Sequence, residues 1–159
     1  MTERPAPTCH PENKPEHSMI RAFHNTDMDT VLDIWLRASI KAHDFVAPGF
    51  WQAQRDDMRD IYIPSAEVHV YEEGSKILGF HALLEDRLAA LFVMPERQGR
   101  GIGKALMADA KARRERLVLS VYKSNTASVG FYLSQGFSIE CEGRDEATGH
   151  DEYIMRMSA

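Results

Sequence analysis

The residues best placed to do chemistry in this 159-residue chain lie in "ERQGRGIGK", Glu96 to Lys104. Gly99, Gly101 and Gly103 alternate there with side chains, and Arg97, Arg100 and Lys104 stand among them. Glycine lets a backbone take positive φ and approach a ligand closely. The apolar run Leu91, Phe92 and Val93 precedes the glycines, and Ile102, Ala105, Leu106 and Ala110 follow at helical spacing. A strand, a glycine turn and a helix N-terminus form an anion site, because unpaired N–H groups and the positive end of the helix dipole converge. Cations at that end oppose the dipole unless an anion joins them. A tight turn needs one glycine; three glycines with three cations point to bound phosphate.

Spacing excludes two nucleotide motifs. In a P-loop, Gln98 would have to be glycine and Ala105 a magnesium-binding hydroxyl. A dinucleotide fingerprint begun at Gly99 needs a small residue where Lys104 stands, and it opens a βαβ unit rather than following a meander. What remains is a main-chain cradle for an extended diphosphate.

These groups need a frame, and periodicity supplies one from Met19 onward. "MIRAF" reads as a strand, and "NTD" offers N-caps for a helix with Val31, Ile34, Trp35 and Ala38 on one face. "HDFVAPGF" breaks that helix with Pro48 and Gly49, and "WQAQRDDMRDIYI" resumes it up to Pro64. "EVHVYEE", "KILGFHALLED" and "RLAALFV" then form an antiparallel meander. After the central helix comes the buried strand "RLVLSVY", a helix "TASVGFYLSQ" closed by Gly136, and the strands "FSIECEG" and "DEYIMRM". The expected fold is α+β: a seven-stranded, mostly antiparallel mixed sheet flanked by about four helices and turning parallel around the central one. Residues 1–18, with four prolines and no apolar periodicity, read as a flexible tail, Met19 is a second candidate start, and 19–159 reads as one domain. Cys9, His10 and His17 have no rigid frame to hold a metal, so no metal is expected.

A net charge of −5 argues against nucleic acid as a partner. No apolar run reaches the ~20 residues of a membrane span, so no membrane partner is expected. Cys9 and Cys141 make no disulfide framework, and the cytoplasm is the expected compartment.

"QGRGIG", Gln98 to Gly103, resembles the Q/R-x-x-G-x-G/A signature of the GCN5-related N-acetyltransferases, the GNAT family. "NTASVGFYLSQGF", Asn125 to Phe137, resembles that family's downstream motif, and the order of elements from Met19 is also the family's. The resemblance implies a GNAT fold, acetyl-CoA as cosubstrate, no metal, and a monomer or homodimer that acetylates a primary amine. "WLRASIKAHDF" and "FYLSQGF" are similar to small bacterial members, which leans towards a protein lysine over a small-molecule amine. It further implies that the backbone of Leu91, Phe92 and Val93 meets the pantetheine arm, with one N–H facing the thioester oxygen. The amides of Gln98, Gly99, Arg100, Gly101, Ile102, Gly103 and Lys104 would hold the pyrophosphate, supplemented by the side chains of Arg97, Arg100 and Lys104. Asn125 would bind the arm, and Tyr132 would protonate the departing thiolate as general acid.

An amine with a pKa of about 10.4 is almost wholly protonated at neutral pH, so a base or a water relay is implied. Glu85, Asp86, His81, His43 and Tyr122 are the alternatives. By resemblance the acceptor borders "HDFVAPGFW", through His43, Asp44, Phe45, Phe50 and Trp51. The competing reading is a non-catalytic acyl-CoA-binding module, which would keep the glycines and have no need of Tyr132.

Overall fold

The computed structural model describes residues 18–158, so Cys9, His10 and His17 lie outside the described residues. The chain runs β1 (Met19–Ala22), α1 (Met28–Ala42), α2 (Pro48–Ala53), β2 (Glu67–Glu73), β3 (Lys76–Leu84), β4 (Arg87–Val93), α3 (Ile102–Arg113), β5 (Arg116–Tyr122), α4 (Thr126–Ser134), β6 (Ser138–Arg144) and β7 (Asp151–Ser158). The sheet has seven strands in the order β1-β2-β3-β4-β5-β7-β6. All neighbours are antiparallel except β4 and β5, the pair joined through α3. The expected α+β architecture is the one observed.

Local chemistry explains the boundaries, including three that the sequence reading placed differently. The chain enters α1 through a 3-10 turn, Asn25–Asp27, and Asp27 anchors it by accepting the His24 N–H at 2.8 Å and both terminal nitrogens of Arg21. The helix is interrupted within the expected segment, at 43–47, but Pro48 itself starts α2, since a first-turn residue needs no N–H. The helical path then continues past Pro64 to Ser65. Before the proline a π-turn, Met58–Tyr62, shifts the ladder so that the Ile63 N–H donates to the Met58 carbonyl. Beyond it the Ser65 hydroxyl donates to the Ile61 carbonyl at 2.6 Å.

Two apolar layers sandwich the sheet. Val31, Leu32, Ile34 and Trp35 of α1 pack with Val70, Phe80 and Ala82. Met107 and Ala110 of α3 pack with Leu83, Leu88, Leu117, Leu119 and Met155. Gly79 marks the tightest approach: a Cβ there would lie 2.8 Å from the Phe92 carbonyl oxygen and 3.0 Å from Leu106 Cδ1.

Two irregularities open this sheet. Ala82 pairs with Ala90 and Leu83 with Leu88, so Ala89 is the extra residue of a bulge in β4, which bends and twists that strand. Between β4 and β5 one paired position is present, Arg87 with Val118, beside a bond from the Val118 N–H to the Asp86 carbonyl. Beyond that point the two strands part, and their facing backbone edges line a cleft.

Candidate active site

A cavity of about 1080 Å³ runs through the gap between β4 and β5. One end is the glycine turn. Gly99 and Gly101 have φ of +81° and +86°, a region L side chains rarely adopt, and the space where a Cβ would stand is open at both. Gly103 is different: it has ordinary helical φ, and its missing Cβ would make normal contacts at 3.7 Å with Phe131 and Val93. The first-turn N–H groups of α3 have no intrahelical acceptor, and among the described residues no side chain caps them. An uncapped helix start beside two left-handed glycines fits a diphosphate.

Gln98, Gly99, Gly101, Gly103 and Lys104 wall this end, followed by Leu91, Phe92 and Val93 along β4. Gln98 braces the turn by donating from Nε2 to the Val93 carbonyl at 3.1 Å. Arg97, Arg100 and Ile102 contribute no wall; Ile102 is buried with Leu78, Val93 and Leu106. Any part they play is through the backbone, or through arginines reaching round from outside.

Tyr132 of α4 lines the middle of the cavity between the rings of Phe131 and Phe137, at 5.5 and 5.8 Å. Burial pushes its phenol up to about 12, so it is protonated at neutral pH. Asn125 also lines the cavity, with both side-chain polar atoms partnered. Its Oδ1 caps α4 by accepting the Ser128 N–H at 3.2 Å, which leaves Nδ2 to donate to His43 Nε2 at 3.2 Å. His43 therefore carries its proton on Nδ1. Burial lowers its pKa, and its basic nitrogen is already engaged.

The far end is aromatic and acidic. His43, Trp51 and Tyr122 wall it, with His43 5.0 Å from Tyr122 and 5.1 Å from Trp51 between ring centroids. The Tyr122 O–H donates to Asp145 Oδ2 at 2.5 Å. Burial and that carboxylate push Tyr122 up to about 12, which makes it a donor rather than a base. Asp44 lines the cavity while exposed at its rim; Phe45 packs behind, 5.6 Å from Tyr122, and Phe50 packs on Trp51.

Asp145, in the β6–β7 connection, and Glu152, on β7, complete this end, and sequence reasoning missed both. Glu152 pairs directly with Tyr122 across the β5–β7 ladder and so shares its face of the sheet. Burial first, then the Asp145 charge, raises its pKa, while Arg87 works against them. The remaining expected bases stand elsewhere. Glu85 and Asp86 form the β3–β4 turn, and fully buried His81 bonds through Nε2 to Asp109 Oδ2 at 2.8 Å, outside the cavity walls. His69, His81 and Asp109 bring ligand-type atoms within 4.8 Å of one another. The Arg113 guanidinium already holds Asp109 at 2.8 Å, and its charge opposes a cation there.

Known proteins fit this geometry. Residues 38–159 match the acetyltransferase (GNAT) domain family. The chain is 39% identical over 130 residues to the peptidyl-lysine N-acetyltransferase YiaC of Escherichia coli, covering 80% of this chain and 89% of that one. Its fold superposes on the apo-form solution structure of Escherichia coli YjaB with a TM-score of 0.78 and 25% identity, over 89% of this chain and 99% of that one. The PaiA N-acetyltransferase of Thermoplasma acidophilum, solved with coenzyme A, has the same fold, with a TM-score of 0.74, 17% identity, and coverage of 89% and 99%. Family match, close relative and shared fold agree with the split sheet and its glycine turn: the chain belongs to the GNAT N-acetyltransferase family.

Proposed function

We propose that this N-acetyltransferase moves the acetyl group of acetyl-CoA directly to the side-chain amine of a peptidyl lysine. The observation that carries the reading is the continuity of the cavity: one space joins the uncapped α3 N-terminus, the parted edge of β4, the Tyr132 phenol and an acidic, aromatic end. The match to peptidyl-lysine acetyltransferases supports lysine over a free small-molecule amine.

The amides from Gln98 to Lys104 hold the pyrophosphate, with the side chains of Lys104, Arg97 and Arg100 supplementing them from the rim. The backbone of Leu91–Val93 pairs with the amide-rich arm and aims an N–H at the thioester oxygen, where negative charge develops. Asn125 holds the wall of the arm through its cap on α4. Tyr132, protonated at neutral pH, donates its proton to the coenzyme sulfur as the carbon–sulfur bond breaks. A module that only bound acyl-CoA would have no use for that phenol.

Thiol release from acetyl-CoA in the presence of lysine peptides tests this. The wild-type protein is expected to turn over, and Tyr132→Phe to lose about 10²-fold or more in kcat with coenzyme affinity retained. Full activity of the variant would remove Tyr132 from the mechanism.

A further inference from the structure

Building on the acetyl-transfer reading above, we propose that the acceptor binds as an alkylammonium cation at a subsite made by Asp145 and Glu152 against the rings of Tyr122 and Trp51, and that Glu152 takes its proton. The two carboxylates line the same cavity as Tyr132. Asp145 is fixed there: its Oδ2 accepts from the Tyr122 hydroxyl at 2.5 Å and the Thr148 hydroxyl at 3.0 Å, and its Oδ1 accepts the Ala147 N–H at 3.3 Å. Three donors hold it as a charged anchor. Glu152 keeps its place in the β5–β7 ladder, and among the described residues its side chain has no hydrogen-bond partner, so its carboxylate is free to receive a proton.

Every neighbouring element bears on this pair. β5 contributes Tyr122 and Ser120, and β4 contributes Arg87, which donates from Nη2 to Ser120 Oγ at 2.8 Å and whose charge acts on Glu152. The end of α1 contributes His43, neutral and bonded to Asn125; His150, before β7, packs its ring 6.4 Å from Tyr122. Asp145, Glu152 and, at the rim, Asp44 stand against Arg87, so this end is negative, and ring faces add attraction for an alkylammonium. His43 and Trp51, 8% and 9% exposed, close the same wall against solvent.

The protons balance. Of the ammonium's three, one passes to Glu152 and on to water. The neutral nitrogen forms the bond to the thioester carbon, the carbon–sulfur bond breaks, and the sulfur takes a proton from Tyr132. The second nitrogen proton restores the Tyr132 phenol, and the third stays on the amide. Glu152 suits the first step, since burial and the Asp145 charge raise its proton affinity.

The test compares two acceptors: a lysine peptide, protonated at the assay pH, and trifluoroethylamine, already neutral there. With the lysine peptide, Glu152→Gln is expected to lower kcat/KM at least ~10²-fold and to abolish the acid limb of the pH profile, while with trifluoroethylamine the loss stays within a few-fold. Asp145→Asn should raise KM for the peptide and leave that for trifluoroethylamine unchanged. Acetyl-CoA affinity by calorimetry stays at the wild-type value in both variants. Equal loss with both acceptors, or no loss with either, would overturn the proposal and leave acetyl transfer standing. A wild-type protein that binds acetyl-CoA and acetylates no cationic amine would overturn both.

Discussion

Glu152 and Asp27 show how a carboxylate's surroundings decide what it does for the fold. At Glu152, burial and a neighbouring carboxylate raise the pKa, so the folded chain holds that proton more tightly than the unfolded one. Stability is therefore lost as pH rises from the ordinary carboxylate range through the raised value, and the loss persists at neutral pH. Glu152→Gln is expected to raise Tm at pH 7 and to leave it unchanged near pH 3, measured by calorimetry. Asp27 has the opposite sign. Its bonds from Arg21 and the His24 N–H lower its pKa, so its contribution is present above the ordinary range and fades as pH falls through the lowered value. Asp27→Ala is expected to cost about 3 kcal/mol at pH 7, since it leaves Arg21 facing Glu72 alone, and markedly less at pH 2, measured by denaturant melts. The contrast also explains what could be read in advance. The glycines announce themselves through local spacing, and Tyr132 through the resemblance of the motif that carries it. Glu152 becomes a site residue because β7 pairs it with Tyr122, thirty positions earlier in the chain, and such register is not written in either strand.

At the scale of elements, the α3 N-terminus separates what glycine does for the backbone from what it does for a ligand. Gly99 and Gly101 need their positive φ, so any side chain there strains the turn whether or not phosphate binds. Gly103 is helical, and a methyl on it meets only ordinary contacts. Gly103→Ala is thus expected to stabilise the free protein by up to ~1 kcal/mol, through helix propensity, and to weaken acetyl-CoA several-fold by crowding the cradle. Tm and calorimetric Kd would then move in opposite senses; a variant with both improved would place the pyrophosphate elsewhere. The strands were legible because apolar patterning is a local signal: alternation marks β2, apolar runs between turns mark β3 and β4, and apolar and β-branched content marks β5, with β3 ending two residues sooner than expected. Pro48 and Pro64 misled because a proline's effect depends on the turn around it: a first-turn position at Pro48, and a π-turn upstream of Pro64. The bulge at Ala89, which gives β4 its free edge, carries no glycine or proline to reveal it.

For the molecule as a whole, the parted sheet makes ligand binding and folding one problem. Strands β1 to β4 and strands β5 to β7 meet at a single paired position, and beyond it β4 and β5 face each other across the cavity with unpaired backbone. Packing joins the halves mainly through the α3 side, where Leu83 and Leu88 from one share a cluster with Leu117, Leu119 and Met155 from the other. A ligand whose arm bonds β4 and whose sulfur meets Tyr132 of α4 would bridge the two. At one hundred times its dissociation constant, acetyl-CoA should stabilise the fold by ~2.7 kcal/mol. Where that stabilisation appears distinguishes bridging from simple occupancy of the glycine turn. Bridging should slow hydrogen exchange at residues 90–93 of β4, at residues 98–104, and at residues 119–132 across β5 and α4, while residues 19–22 of β1 and 138–144 of β6, at the two outer edges, exchange as before. Coenzyme A without the acetyl group should reproduce most of this pattern, since it has the same arm and pyrophosphate. Adenosine diphosphate should protect residues 98–104 alone. Protection confined to residues 98–104 with all three ligands would mean that the gap between β4 and β5 is not the path of the arm.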